Sequence, residues 1–137
     1  MTPYEGPRRE DDREMRRAAL IVGRPGPLQD GLRALVGTMP QIGVVNAAHD
    51  IPSALSMDLN PGPALVLLDG DDAEGQVWLT VRRTKARWPQ SRVMVLVSNA
   101  QRQEEAEAAG ADAVLLQGFR PARLVAAIVK LLPEPDL

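Results

Sequence analysis

The chain has 137 residues, of which 45% are hydrophobic and 25% charged, a length and composition that fit one globular domain with a real core. Its formal net charge of −2 gives no reason to expect nucleic acid or an anionic membrane as a partner. The absence of cysteine excludes disulfides, thiolate catalysis and cysteine-ligated metals, and a single histidine, His49, excludes histidine-rich metal sites. The first residues, MTPYEGPRREDDREMRR, lack the apolar stretch of a signal peptide, and no later apolar run is long enough to span a bilayer, so the cytoplasm is the expected location.

Residues 1–16 carry prolines, a glycine and alternating acids and bases, and read as a flexible extension with little to bury. From Arg17 onward one unit repeats: a short apolar run, a turn signal, then apolar residues at helical spacing. The first run, Ala18–Val22, is broken by Gly23, Pro25, Gly26 and Pro27, after which Leu28, Leu32, Leu35 and Val36 mark an amphipathic helix that Pro40 ends. The second run, Ile42–Ala48, leads into a weaker helix over Ile51–Leu59. The third, Ala64–Leu68, ends in Asp69, and a helix over Glu74–Trp88 follows with Val77, Trp78, Val81 and Trp88 as candidate core residues. The fourth, Val93–Val97, ends in Ser98, ahead of a charged, alanine-rich helix over Gln101–Ala109 that Gly110 stops. The fifth, Ala113–Leu116, ends in Gln117; Pro121–Leu132 is the last helix, and 133–137 form a short tail.

The apolar runs do not alternate with polar residues, as expected of parallel strands covered on both faces. Five strands alternating with five helices predict a doubly wound α/β domain over 17–132, with flavodoxin-like strand order 2-1-3-4-5 and helices on both faces of the sheet. In such a sheet a ligand lies beyond the carboxyl ends of the strands, at the switch point between the first and third. A carboxylate (Asp69), a hydroxyl (Ser98) and an amide (Gln117) are expected to converge there on a polar pocket.

Several segments at those positions carry a family resemblance. Leu20-Ile-Val-Gly-Arg-Pro-Gly-Pro-Leu-Gln-Asp-Gly-Leu32, Ala64-Leu-Val-Leu-Leu-Asp69, Val95-Leu-Val-Ser-Asn99 and Ala109-Gly-Ala-Asp-Ala-Val-Leu-Leu116 occur in order between Arg17 and about Leu132. Together they resemble a response-regulator receiver domain, the CheY-like domain of two-component signalling, of the LuxR/NarL type. The resemblance implies that Asp69 stands at the phospho-acceptor position and Ser98 at the switch-hydroxyl position. It also implies that Val22 and Gly23 replace the acidic pair that holds Mg²⁺, Gln117 replaces the lysine that pairs with phosphoryl oxygens, and Val114 replaces the aromatic switch residue. Metal and lysine would neutralise charge developing on the transferred group, usually the largest catalytic term.

The resulting expectation is an atypical receiver, not an enzyme and without a cofactor, that acts in phosphorelay signalling by phosphorylation-independent protein–protein contact. The alternative is a phospho-accepting receiver that uses Asp69 with a weakened Mg²⁺ site. A nucleotide or flavin binder on the same fold ranks lowest, because Pro25 and Pro27 stand where phosphate-binding amides are needed. Arg24, in the loop after the first strand, is a candidate ion-pair partner of Asp69 that would replace the missing cation. Asp69 and Asp71, with Asp72, could instead hold a divalent ion, but Asp71 and Asp72 read more simply as solvated loop acids.

For partners, the resemblance implies a histidine kinase or an output protein, and a dimer or output face made by the fourth helix, fifth strand and fifth helix. In the last helix Leu124, Ile128 and Leu131 should face the sheet. Val125, Val129 and Leu132 form a second apolar stripe, either extra core or an interface. Gln101, Arg102, Glu104, Glu105 and Glu107 would supply a polar rim. The basic cluster Arg82, Arg83, Lys85 and Arg87 reads as a solvated face and His49 as a surface residue; no helix-turn-helix follows the domain, so direct DNA recognition is not supported.

Overall fold

A computed structural model describes residues 17–73 and 76–132, so the N-terminal extension, the tail and the expected helix start at Glu74 lie outside the described residues. Within them the chain runs β1 (Arg17–Val22), α1 (Pro27–Gly37), β2 (Ile42–Ala48), α2 (Ile51–Leu55), β3 (Leu65–Asp69), a 3₁₀ turn (Gly70–Ala73), α3 (Val77–Arg87), β4 (Arg92–Val97), α4 (Ala100–Ala108), β5 (Ala113–Leu116) and α5 (Pro121–Leu131). The strands form one sheet of order β2-β1-β3-β4-β5 with every neighbouring pair parallel, the flavodoxin-like arrangement expected from the sequence.

The uninterrupted apolar runs are explained by burial on both faces. Ala19 to Val22 of β1, Leu65 to Leu68 of β3 and Val93 to Val97 of β4 are all buried. Because successive side chains of a strand point to opposite faces, each strand feeds two cores. Ala19, Ile21, Leu65, Leu67, Met94 and Leu96 pack with Leu32 and Val36 of α1 and Leu124 and Ile128 of α5. Leu20, Val22, Val66, Leu68, Val93, Val95 and Val97 pack on the other side with Ala54, Val77, Val81, Trp88 and Ala106. β2 and β5, at the sheet edges, are partly exposed, as in Val44 and Leu116.

Three details differ from the sequence expectation. α2 stops at Leu55 rather than Leu59: Asp50 caps its start by accepting from Ser53 N at 2.8 Å, and Ser56 closes its end through its hydroxyl to Ser53 O at 2.9 Å. Trp78 is not core but 45% exposed, with the Arg82 guanidinium 4.8 Å from its ring centroid, whereas Trp88 is buried at the end of α3. Leu28 is exposed on α1, leaving Leu32 and Val36 to anchor that helix.

The amino-terminal end of the sheet is closed by polar side chains. Gln41, buried before β2, donates through Nε2 to Leu132 O at 3.0 Å and ties the end of α5 to β2. Asp112 extends the β4–β5 ladder by one residue. Its N–H donates to Val93 O at 2.8 Å, and its Oδ2 accepts from Val93 N at 2.7 Å and from Lys85 Nζ at 2.9 Å. Burial by itself pushes the Asp112 carboxyl up, but the Lys85 and Val93 hydrogen bonds and the charges of Lys85 and Arg92 outweigh it and hold the group below the usual aspartate range.

A carboxyl depressed in the folded state adds stability above its unfolded pKa of about 3.9 and loses it as pH falls through the folded value. Asp112→Ala is therefore expected to cost about 1–2 kcal/mol near neutral pH, a figure kept modest because Lys85 remains partly exposed. The gap between thermal melts of the two proteins should hold from pH 7 to about pH 4 and narrow progressively below it; a gap that does not narrow in acid would show that the carboxylate charge is not the source.

Candidate functional site

Parallel register sets the carboxyl ends of the strands side by side: Val22 lies beside Leu68, Asp69 beside Leu96 and Val97 beside Leu116. The residues that follow, Gly23, Gly70, Ser98 and Gln117, therefore share one edge, and Gln117 N donates to Val97 O at 2.7 Å.

At the switch point, Gly23 is buried with its backbone fully used. Its N–H donates to Ala48 O at 3.0 Å, and its carbonyl accepts from the buried Gln29 Nε2 at 2.9 Å. Gln29, a residue that the amphipathic pattern of α1 gave no reason to single out, thus fixes the end of β1. A Cβ added at Gly23 would lie 3.0 Å from Asp69 Cβ, so Asp69 packs directly against the end of β1. Asp69 is half-buried, and its Oδ1 accepts from Asp71 N at 3.1 Å, an Asx turn that starts the 3₁₀ segment.

That turn crosses β4 at very short range. A Cβ on Gly70 would meet Val97 Cγ1 at 2.7 Å, Leu96 O at 2.8 Å and Val95 Cγ1 at 2.9 Å, so only glycine lets the backbone pass. The crossing carries the Asp71 carboxylate over the ends of β4 and β5. There Asp71 Oδ1 accepts from Ser98 N at 3.1 Å and from Arg102 Nη1 at 2.9 Å, while Oδ2 accepts from Gln117 Nε2 at 2.7 Å. Asn99 prepares the partner: its side chain caps α4 by accepting from Arg102 N at 2.9 Å.

One sequence expectation is corrected by these contacts. Asp71 is not a solvated loop acid but the acceptor for three donors from the β4–α4 and β5 segments, and Arg102 belongs to this cluster as well as to the polar surface of α4. At the same strand edge Ser98 N and Gln117 Nε2 donate to Asp71, and Asp69 lines a cavity of about 350 Å³ toward α2 and α3, with Val22, Gly23, Asp50, Leu68, Thr80 and Arg83 among its walls.

The remaining candidates disperse. His49 is exposed and lies 3.4 Å from both Ser53 Oγ and Asp50 Oδ2. The Ser53 hydrogen bonds hold Asp50 below the usual carboxylate range. The basic residues of α3 go separate ways. Lys85 pairs with Asp112, Arg82 covers Trp78, Arg87 donates to the Leu55 and Met57 carbonyls at 3.3 Å, and Arg83 reaches the cavity. Arg24 is exposed in the loop after β1.

The donor set does not fit a Mg²⁺ site of the kind the resemblance implies. A hard cation needs several converging oxygens. Val22 and Gly23 bring no side-chain oxygen, the Gly23 carbonyl accepts from Gln29, and the Asp71 carboxylate is engaged by its three donors. Among the described residues no three His, Cys, Asp or Glu side chains converge, so the pairing of Asp69 with Asp71 on a metal is not supported; the Asp72 side chain lies outside the described residues.

On the α4–β5–α5 face, Leu116 is 44% exposed and Val129 43% exposed, and Val125 is half-buried against the core. Leu132 must be removed from the interface stripe: it is 3% exposed and packs in the core under α1 and α5. Among the described residues no helix is long and apolar enough to cross a membrane.

No family model and no curated protein matches the chain. Solved structures do. A LuxR family DNA-binding response regulator from Silicibacter pomeroyi aligns with TM-score 0.70 and 24% identity over 85% of this chain and 91% of its own. A LuxR family two-component response regulator from an Aurantimonas species gives TM-score 0.73 and 22% identity over 85% and 84%. The BeF3-activated DrrB receiver domain gives TM-score 0.75 and 20% identity over 88% of this chain and 100% of its own. The chain thus has the CheY-like fold of response-regulator receiver domains.

The close crossing at Gly70 is directly testable. Gly70→Ala is expected to cost about 1–3 kcal/mol of stability by overpacking against β4. Gly31→Ala, in α1 with open space around the added methyl, is expected to raise stability by about 0.5–1 kcal/mol. Equal melting temperatures for the two variants would contradict the reading of the turn.

Proposed function

We propose that the chain is an atypical receiver module of two-component signalling that works by protein–protein contact without phosphoryl transfer and without a cofactor. The observation that carries this reading is the end of β1, where Val22 and Gly23 offer no side-chain oxygen to a metal beside Asp69. Gln117, uncharged, stands at the other side of the site and donates to Asp71. A carboxylate without a metal or a lysine beside it has little to stabilise charge on an incoming phosphoryl group. The partner we assign is a histidine kinase or an output protein, or a second copy of the chain. The contact face is α4–β5–α5, where Leu116 and Val129 supply exposed apolar surface within a polar surround.

The second reading, a phospho-accepting receiver with a weakened Mg²⁺ site, draws support from Asp69 itself, which stands at the end of β3 beside a cavity. Intact-protein mass spectrometry after incubation with acetyl phosphate and Mg²⁺, beside Asp69→Asn, separates the two. The expected outcome is no phosphate adduct on the folded protein. A Mg²⁺-dependent adduct that disappears in Asp69→Asn would establish the second reading.

We also propose that Arg24, exposed in the loop after β1, is an ion-pair partner of Asp69. Arg24→Ala is expected to shift the titration of Asp69 upward, followed by carboxyl-carbon NMR; an unchanged titration removes the pairing.

A further inference from the structure

We propose that the carboxyl end of the sheet holds an anion-binding corner that the protein fills from within: the Asp71 carboxylate is a tethered ligand for Ser98 N–H, the Arg102 guanidinium and the Gln117 amide. The three donors come from different segments, the β4–α4 turn, α4 itself and the residue after β5, and lie 3.1, 2.9 and 2.7 Å from the two carboxylate oxygens. Such a set, one cation with two neutral donors on both oxygens of a single anion, matches what a small oxyanion requires, and hydrogen bonds to a charged acceptor are the strong ones.

The tether explains why Asp71 holds the corner against ions from solution. Asp71 follows the strand end by two residues, through a turn fixed by its own N–H to Asp69 Oδ1 and by the tight passage of Gly70 across β4. Its effective concentration at the donors therefore exceeds the millimolar range of free phosphate, since short linkers already give millimolar values and stiff, matched ones more. The side chains of Asp71 and Arg102 are 27% and 30% exposed, so the corner stays within reach of solvent once Asp71 is removed.

The same contacts couple segments that would otherwise move separately. Through Asp71 the β3 loop grips both α4 and the end of β5, two of the three elements of the face assigned above to partners. An internal anion would hold that face in one arrangement without any covalent modification. This consequence rests on the proposed contact face; the anion corner itself does not.

The probe is inorganic phosphate, titrated into wild-type protein, Asp71→Ala and Asp71→Asn and followed by ¹H–¹⁵N NMR. Asp71→Ala is expected to show saturable shifts of the Ser98 backbone amide and the Gln117 side-chain amide, with affinity about tenfold or more above wild type. Asp71→Asn, which keeps the shape and one acceptor oxygen but not the charge, should fall between. Adding Arg102→Ala to Asp71→Ala should abolish the binding. Phosphate binding as tight in wild type as in Asp71→Ala would overturn the inference. So would no binding to folded Asp71→Ala, or binding that survives the loss of Arg102. If Asp71→Ala does not fold, the same comparison between wild type and Asp71→Asn decides. A phosphate adduct on Asp69 in the mass-spectrometry experiment would sink the proposed function while leaving this titration to decide the corner.

Discussion

The hydrogen bonds of the Asp71 carboxylate organise the carboxyl end of this sheet. They depend on a chain of local constraints: β3 ends in a half-buried aspartate, the next residue is a glycine that can pass within contact distance of β4, and the Asx turn on Asp69 aims the following N–H inward. Only then does the Asp71 side chain reach Ser98, Arg102 and Gln117 together. A residue with a Cβ at position 70 would lift the turn off β4 and take the carboxylate away from its donors.

The fold was legible in the sequence because its signals are local. Unbroken apolar runs such as Leu65–Leu68 and Val93–Val97 announce strands covered on both faces, and their alternation with helical spacing fixes the topology. Boundaries set by side-chain caps were less legible: nothing in the apolar spacing of Ile51, Leu55 and Leu59 reveals that Ser56 closes α2 early. Solvent-facing choices also escaped, as for Trp78, whose period suited either face, and for Leu132, whose burial depends on where α5 meets Gln41 and the core.

The site was legible in part for the same reason. Strand ends fall at the end of apolar runs, so Asp69, Ser98 and Gln117 could be placed on one edge from sequence alone. What could not be read was which carboxylate the others turn to. The three partners of Asp71 lie 27, 31 and 46 residues away, and no spacing rule links an acid in a loop to a guanidinium and an amide that far along the chain. Asp112 shows the same limit. Its place in a Gly-Ala-Asp segment hints at family likeness, whereas its closing of the ladder against Val93 and Lys85 emerges only from the assembled sheet.

The physical picture is of a receiver-type sheet whose charged corner is satisfied internally. The Asp69 side faces a cavity with Arg83 and Thr80, and the Ser98–Gln117 side is closed over Asp71. In the proposed reading the tethered carboxylate fills the place that an incoming anion would take, and the α4–β5–α5 face is the contact surface. The most direct measurement is a ¹H–¹⁵N correlation spectrum of the wild-type protein with and without Mg²⁺ and beryllofluoride, which mimics an acyl phosphate on a receptive aspartate. The backbone amides of Ser98 and Gln117, and those along α4 and β5, are predicted to stay where they are. Saturable, Mg²⁺-dependent shifts of those amides that are lost in Asp69→Asn would contradict this picture and show a site that still responds to phosphoryl chemistry.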